Sequence, residues 1–203
     1  MEPREALERL KEGNRRFMRG ESHVEQFRSV AHLKTLARDG QRPYAVILSC
    51  SDSRSPAEIL FDTGVGELFI IRVAGNVIAP SLIGSVEYAI SNLDTRLVVV
   101  MGHTGCGAIQ ATLDAIRGPA QRRSRNISDI ISRIRPGIES LLLAPLEEPR
   151  LRDEAVSANV RASVAQLRHG SRLIEDRLTK NEIQVEGAVF ELETGLARFL
   201  DLT

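Results

Sequence analysis

The sequence lacks an excess of charge of either sign and lacks a long apolar run. Its 203 residues carry 27 Lys and Arg against 27 Asp and Glu, so the formal net charge is zero. Such a chain has no broad field that would attract nucleic acid or an anionic membrane. No apolar stretch reaches the roughly 18–20 residues of a membrane span, and the first residues lack the apolar core of a signal peptide. These absences predict a cytoplasmic protein with neither nucleic acid nor membrane as a partner.

Cysteine is scarce as well, because Cys50 and Cys106 are the only two. A disulfide between them is conceivable, although a cytosolic chain with an adequate core gains little from one. Two buried thiols acting as small apolar residues are the simplest interpretation of such a pair. Both cysteines, however, come just after apolar runs and stand among Gly, Ser, Asp, Arg and His. This polar surrounding favours a functional role.

The sequence does contain a regular alternation of strand and helix patterns. Apolar, β-branched runs typical of buried strands cover residues 44–49, 67–73 and 97–101. Residues 183–192 return to strand alternation, and a turn leads into a final short strand at 197–200. Two amphipathic helical patterns precede the first run and end near Gly20 and Gly40. We therefore predict one α/β domain spanning residues 1–203, with a mainly parallel central β-sheet flanked by helices, an N-terminal helical arm and C-terminal strands. The sequence leaves open whether the N-terminal helices pack on their own sheet or on a partner subunit.

Two local patterns predict helix boundaries. The tetrapeptide S-P-A-E at residues 55–58 is a capping box with Pro at the first helical position. An apolar stripe at residues 127–134 is followed by Pro136 and Gly137, which predicts that this helix is interrupted there.

The carboxyl ends of two predicted strands carry residue types that bind metals. Cys50 follows the first strand, and His103 and Cys106 follow the third. Because ligands bind at the carboxyl edge of an open α/β sheet, we expect these three side chains to meet. Two thiolates and one imidazole suit tetrahedral zinc better than metals that prefer oxygen, and three protein ligands leave a fourth position open. The pattern predicts one Zn²⁺ per chain.

The residues next to Cys106 support this hypothesis. A helix is predicted to begin at Gly107, and a helix N-terminus favours the thiolate form of Cys106. Gly105 and Gly107 would let the backbone approach the ion closely. A thiol nucleophile, with His103 as the base for Cys50, is a rival interpretation, but it leaves Cys106 without a role.

Asp52 and Arg54 follow Cys50 closely and form the predicted catalytic pair. Asp52 would accept a hydrogen bond from the attacking hydroxide, and Arg54 would keep Asp52 ionised. If Arg54 released it, Asp52 could become a fourth zinc ligand and close the site. An exposed ion pair of little energetic weight is the plainer alternative.

Together, these motifs resemble those of the β-class carbonic anhydrases. The resemblance rests on C-S-D-S-R and H-T-G-C-G, at residues 50–54 and 103–107. It extends to G-E-L-F, A-G-N and E-Y-A, at residues 66–69, 74–76 and 87–89. It implies the β-carbonic anhydrase fold, zinc on Cys50, His103 and Cys106, and catalysis by Asp52 and Arg54. The implied reaction is the reversible hydration of CO₂ to bicarbonate and a proton by zinc-bound hydroxide, a carbonate dehydratase (lyase) activity.

The same resemblance implies a substrate pocket and an assembly. In the family, a narrow and mostly apolar pocket lies at a dimer interface, so a homodimer or a dimer of dimers is expected. The substrate-binding positions match Gln41, Phe69, Tyr88 and Gly107, with Gln41 expected from the opposite subunit. Core packing is the alternative role for Phe69 and Tyr88, and a turn is the alternative for Gln41.

Two positions depart from the family pattern. Some members bind regulatory bicarbonate with a Trp three residues before the first Cys, where this chain has Ile47 and no Trp at all. That regulation is therefore not expected, although the matching Arg72 is present. Ala74 replaces the Val of plant-type members and predicts a slightly wider pocket. The sequence leaves open a COS or CS₂ hydrolase on the same scaffold, and a non-catalytic zinc or bicarbonate-sensing module.

Overall fold

The computed structural model describes residues 1–21, 29–119 and 123–202. Its centre is a five-stranded sheet in the order β2-β1-β3-β4-β5. The strands are β1 (Ala45–Ser49), β2 (Leu68–Arg72), β3 (Leu97–His103), β4 (Gln184–Phe190) and β5 (Ala197–Phe199). Strands β1 to β4 are mutually parallel, and β5 pairs with β4 in the antiparallel sense. The predicted α/β class with a mainly parallel sheet is confirmed.

Helices surround this sheet. They are α1 (Pro3–Arg19), α2 (Val30–Asp39), α3 (Ala57–Leu60), α4 (Pro80–Asn92), α5 (Gly107–Arg117), α6 (Arg125–Ile138), α7 (Glu148–His169) and α8 (Arg172–Thr179). Short 3₁₀ segments cover Ala74–Asn76 and Glu139–Leu143. Across the described ranges, no helix is both long and apolar enough to cross a membrane.

The sheet brings the ends of β1 and β3 side by side. Every residue of these two strands is buried, as expected for parallel strands covered on both faces. Ser49 is in register with Met101, so the chain leaves both strands at the same edge. Strand β3 runs two residues beyond the predicted end, because it stays paired with β4 as far as His103 and Phe190.

Each face of the sheet has its own apolar cluster. The larger cluster includes side chains from α4, α5, α6 and α7, and the smaller one joins α1 and α3 to the opposite face. Ala6 and Leu10 of α1 are almost fully buried in the smaller cluster. The first helix therefore packs on its own sheet, whereas α2 buries none of its residues.

Helix α1 is held by a close approach and by hydrogen bonds. A Cβ built on Gly13 would lie 1.9 Å from the carbonyl oxygen of Phe61, so the two backbones almost touch. The next residue, Asn14, is buried and donates to the carbonyl oxygens of Leu60 (3.1 Å) and Gly195 (2.9 Å). Its own side-chain oxygen accepts the amide of Ala197 at 2.8 Å. Asn14 thus ties α1 to α3 and to the start of β5.

Both local boundary predictions are wrong. Helix α3 begins at Ala57 without a side-chain cap, and the Ser55 hydroxyl donates to the carbonyl oxygen of Asp52 (3.2 Å). Helix α6 continues through Pro136 to Ile138. Ile138 is completely buried, and a Cβ on Gly137 would lie 2.9 Å from Ala162 of α7. This packing outweighs the cost of a proline inside the helix.

Candidate metal centre

Three side chains predicted to meet at the carboxyl edge of the sheet lie together in the structure. Cys50 directly follows β1, His103 is the last residue of β3, and Cys106 caps the N-terminus of α5. One donor atom from each lies within 4.8 Å of the other two, and all three residues are buried. Both cysteines are free thiols rather than a disulfide. Two sulfurs and one imidazole nitrogen in this arrangement could hold a metal ion.

The imidazole of His103 is oriented for such a role. Its Nδ1 lies 2.9 Å from the carbonyl oxygen of Thr104, so this nitrogen carries the proton and donates. Nε2 is buried and has no hydrogen-bond partner in the described part of the chain. Burial opposes a charge on the ring, but the neighbouring Cys50 sulfur outweighs it and raises the pKa of His103. An orphaned ring nitrogen beside two thiols fits a metal ligand.

The two thiols differ in their electrostatics. The hydrogen bond from the Cys106 thiol lowers the pKa of Cys50 to about 4, and the backbone N–H of Gly75 acts in the same direction. The same contact, together with burial, raises the pKa of Cys106. In the protein alone, ionisation of one of these thiols therefore opposes ionisation of the other. The backbone amides of Ala108 and Ile109 in α5 lower the pKa of Cys106, as the helix N-terminus predicts, whereas the hydrogen bond with Cys50 and burial raise it.

Asp52 and Arg54 form a bidentate ion pair next to the three donors. Nε and Nη2 of Arg54 donate to the two carboxylate oxygens at 2.9 and 2.8 Å. These hydrogen bonds hold the pKa of Asp52 far below its usual range. Oδ2 of Asp52 lies 3.8 Å from Nε2 of His103. Arg54 also donates to the carbonyl oxygen of Gly105 (3.2 Å), which joins the loop after β1 to the loop after β3.

Arg72 supports the first of these loops, in a position that the sequence did not reveal. It ends strand β2, and its guanidinium donates to the carbonyl oxygens of Cys50 (3.0 Å) and Asp52 (2.6 Å). The register of the sheet explains this contact, because Arg72 is paired with Ser49, the residue before Cys50. The guanidinium holds the backbone of the loop on both sides of Ser51.

A second support comes from the turn after β2. Gly75 has a φ of 70°, and its backbone N–H donates to the Cys50 sulfur at 3.3 Å. A Cβ there would lie 2.7 Å from Ile134, so the turn requires glycine. The carbonyl oxygen of Gly75 accepts a hydrogen bond from Asn159 of α7 at 2.9 Å. Sequence reasoning missed Asn159, because the only signal is that a polar residue lies on the mostly apolar buried face of α7.

The predicted substrate residues are spread more widely. The rings of Phe69 and Tyr88 are 6.2 Å apart, and Tyr88 is about half exposed, so core packing does not explain it. Gly107 is the exposed first residue of α5, directly after Cys106. Gln41 lines a cavity of about 590 Å³ with Arg9, near the start of β1. It therefore lies at the amino end of a strand whose carboxyl end leads to the metal centre.

Comparisons with known proteins agree with the motifs. The sequence profile of the family described as Carbonic anhydrase matches residues 45–197. Carbonic anhydrase 2 of Mycobacterium tuberculosis is 39% identical over 200 residues, covering 98% of this chain and 93% of that protein. The carbonic anhydrase of Mycolicibacterium smegmatis is 38% identical over 194 residues, covering 95% and 91%.

Solved structures show the same relationship. The structure of the β-carbonic anhydrase CcaA matches with a TM-score of 0.78 and 27% identity, covering 96% of this chain and 87% of that one. The matched residues 45–197 include both strand-end motifs, at residues 50–54 and 103–107. The chain belongs to the β-class carbonic anhydrase family.

Proposed function

We propose that this protein is a zinc enzyme that reversibly hydrates CO₂ to bicarbonate and a proton. The observation that carries the proposal is the convergence of Cys50, His103 and Cys106 beside the Asp52–Arg54 pair. These three residues would hold one Zn²⁺ per chain, since two thiols and an orphaned imidazole nitrogen match its preferences. Zinc held there supplies the Lewis acidity that makes water nucleophilic at neutral pH.

The protein groups around the centre have separate tasks in this proposal. The hydrogen bond from Nδ1 to Thr104 keeps Nε2 of His103 unprotonated and free to bind the ion. Asp52, which Arg54 keeps ionised, accepts a hydrogen bond from the attacking water and so directs a lone pair at CO₂. Because Arg54 occupies both carboxylate oxygens, the observed pairing supports an open site rather than one closed by Asp52.

A second subunit would complete the substrate pocket. We propose that Phe69, Tyr88, Gln41 and Gly107 wall it, and that the protein is a homodimer or a dimer of dimers. The half-exposed ring of Tyr88 and the distance of Gln41 from the centre support this assembly. We further propose one catalytic domain over residues 1–203, supported by the docking of α1 on its own sheet. The free thiols support a cytoplasmic location.

Stopped-flow CO₂ hydration, measured together with zinc content, tests the reaction. Rapid hydration by protein with one zinc per chain is the expected result. Much faster release of sulfide from COS or CS₂ would assign the site to those substrates instead. If the protein holds one zinc per chain but turns over neither CO₂ nor COS nor CS₂, the proposed enzymatic function is contradicted and the protein is a zinc-binding module.

Asp52→Asn tests the proposed role of the carboxylate. The asparagine amide is neutral and is a weaker hydrogen-bond acceptor than the aspartate carboxylate. Turnover should therefore fall by about 100-fold or more while zinc remains bound. Asp39→Asn is a matched control, because Asp39 also forms a two-point ion pair with its neighbour Arg38, but on exposed helix α2. Full activity in Asp52→Asn, or an equal loss in Asp39→Asn, would contradict the assignment.

A further inference from the structure

Two polar residues lie on the buried face of α7. Asn159 and Ser163 are 2% and 3% exposed, and they stand among Val156, Val160 and Val164, which pack into the larger apolar cluster. A buried amide or hydroxyl costs free energy unless it is hydrogen-bonded. Their presence on a helix that otherwise packs apolar side chains against the sheet requires a reason.

Both residues bind the backbone of one turn. Asn159 donates to the carbonyl oxygen of Gly75 at 2.9 Å, and Ser163 donates to the carbonyl oxygen of Asn76 at 3.2 Å. The turn is strained, because Asn76 has a φ of 43° in the left-handed region that non-glycine residues rarely adopt. Such a conformation persists only where its surroundings hold it, and α7 supplies two of the hydrogen bonds that do so.

The turn reaches the metal centre through one atom. The backbone N–H of Gly75 donates to the Cys50 sulfur at 3.3 Å, and that contact is buried. An N–H donor on a thiolate partly neutralises its charge and fixes the direction of its remaining lone pairs. Gly75 is thus bound on one side by Asn159 and donates on the other side to a proposed zinc ligand.

We propose that Asn159 is a positioning residue of the metal centre. It holds Gly75 so that the N–H of this glycine stays on the Cys50 sulfur, and Ser163 assists by holding Asn76. Asn159 acts only through Gly75 and is not itself a ligand. The inference rests on the proposed role of Cys50 as a zinc ligand, and it adds a specific outer contact, 84 residues away in sequence from the glycine it binds.

A matched control exists on the opposite face of the sheet. Asn14 of α1 is equally buried (2% exposed) and also donates to backbone carbonyl oxygens, those of Leu60 and Gly195. Neither carbonyl belongs to the metal centre. Leucine is similar in size to asparagine but has no amide. Replacing either asparagine with leucine therefore leaves the backbone carbonyl groups that it binds without a donor. A purely structural role would make the two variants alike at the metal.

The experiment compares the zinc protein and its Co²⁺-substituted form in wild type, Asn159→Leu, Ser163→Ala and Asn14→Leu. The first readout is the near-ultraviolet charge-transfer band from thiolate to Co²⁺. The second is zinc affinity, measured by competition with a chromophoric chelator. In Asn159→Leu, the band should move to lower energy, because a sulfur without its N–H donor releases electron density more readily. Zinc affinity should fall by about tenfold.

The other variants separate positioning from general stability. Ser163→Ala should shift the band in the same direction but less, and Asn14→Leu should lower the melting temperature with a wild-type band and wild-type affinity. An unchanged band and affinity in Asn159→Leu, or the same changes in Asn14→Leu, would overturn the proposal. If Asn159→Leu does not fold, an unshifted band in Ser163→Ala overturns it. Neither readout depends on turnover, so a wild type that binds metal without hydrating CO₂ would contradict the proposed function alone.

Discussion

The two faces of the sheet are each covered by a helix that carries one buried asparagine, and the two residues use the same chemistry for different ends. Asn14 on α1 binds Leu60, Gly195 and Ala197, which join α3 to β5. Asn159 on α7 binds Gly75, whose amide lies on the Cys50 sulfur. In both cases the buried asparagine side chain fixes the position of a backbone segment. Its role depends on what that segment contacts next, which is the Cys50 sulfur for Asn159.

The faces also differ in how closely the helices approach. Helix α1 touches the backbone of Phe61 through Gly13, with no side chain between them. Helix α7 meets the sheet through valine side chains, as at Gly102, where a Cβ would lie 2.7 Å from a methyl group of Val160. Side-chain methyl groups can shift by a few tenths of an ångström, whereas a backbone carbonyl cannot move without its helix. The α1 face should thus be the less tolerant of added volume.

Gly13→Ala is expected to have the largest effect on folding. Its Cβ would stand 1.9 Å from the carbonyl oxygen of Phe61, so α1 must move away from α3. We expect the free energy of unfolding to fall by about 3 kcal/mol, measured by urea denaturation. Gly84→Ala in α4 is the control, because within the described residues no atom outside the backbone of its own helix lies within 4 Å of its Cβ position. That variant should gain up to about 1 kcal/mol, and a loss of similar size in both would refute the explanation.

Asn14→Leu should have an intermediate effect. It leaves the amide of Ala197 and two carbonyl groups without their partner, which should cost about 2 kcal/mol in urea denaturation. Amide hydrogen exchange gives a local check: the Ala197 amide should exchange faster, while the Gly75 amide keeps its wild-type protection. Faster exchange of the Gly75 amide in this variant would contradict the expectation, because it would show that the two faces of the sheet are coupled.

Tyr44→Phe should have the smallest effect at neutral pH. Tyr44 is buried on the α1 face, and its hydroxyl has no hydrogen-bond partner among the residues that the structure describes. Removing the hydroxyl should change the free energy of unfolding by less than about 0.5 kcal/mol at pH 7.

The same substitution should have a larger effect in alkali. Burial raises the pKa of Tyr44 above its ordinary value of 10.0. Because the folded state holds the proton more tightly than the unfolded state, this contribution is complete below pH 10 and is lost as the pH rises above it. Thermal melts between pH 8 and 11 should show this loss in wild type and in a Tyr88→Phe control, and a smaller loss in Tyr44→Phe. Identical alkaline profiles for all three would contradict the assignment.

The sequence predicted the parts of this molecule that depend on local pattern. Apolar runs predicted β1, β2 and β3; of these, β1 and β3 are buried throughout, as strands covered on both faces are. The position of Cys50 and His103 after such runs was enough to expect them at one edge. The contacts of Arg72 and Asn159 were not predictable in this way, since each depends on the register between segments distant in sequence.

Two local predictions failed because tertiary contacts outweighed them. The Ser55 hydroxyl, which the S-P-A-E pattern predicts to accept a backbone N–H of α3, instead has its hydrogen bond to the Asp52 carbonyl. Helix α6 tolerates Pro136 because Ile134 and Ile138 on either side of it are fully buried.

The position of Arg72 has a mechanical consequence. Arg72 belongs to β2, which is an edge strand of the sheet. Its guanidinium nevertheless donates hydrogen bonds to two peptide oxygens of the loop that carries Cys50. A shift of β2 against β1 by a single residue, about 3.3 Å, would break both of these hydrogen bonds. A subunit that packed against β2 would therefore also stabilise the loop that carries Cys50.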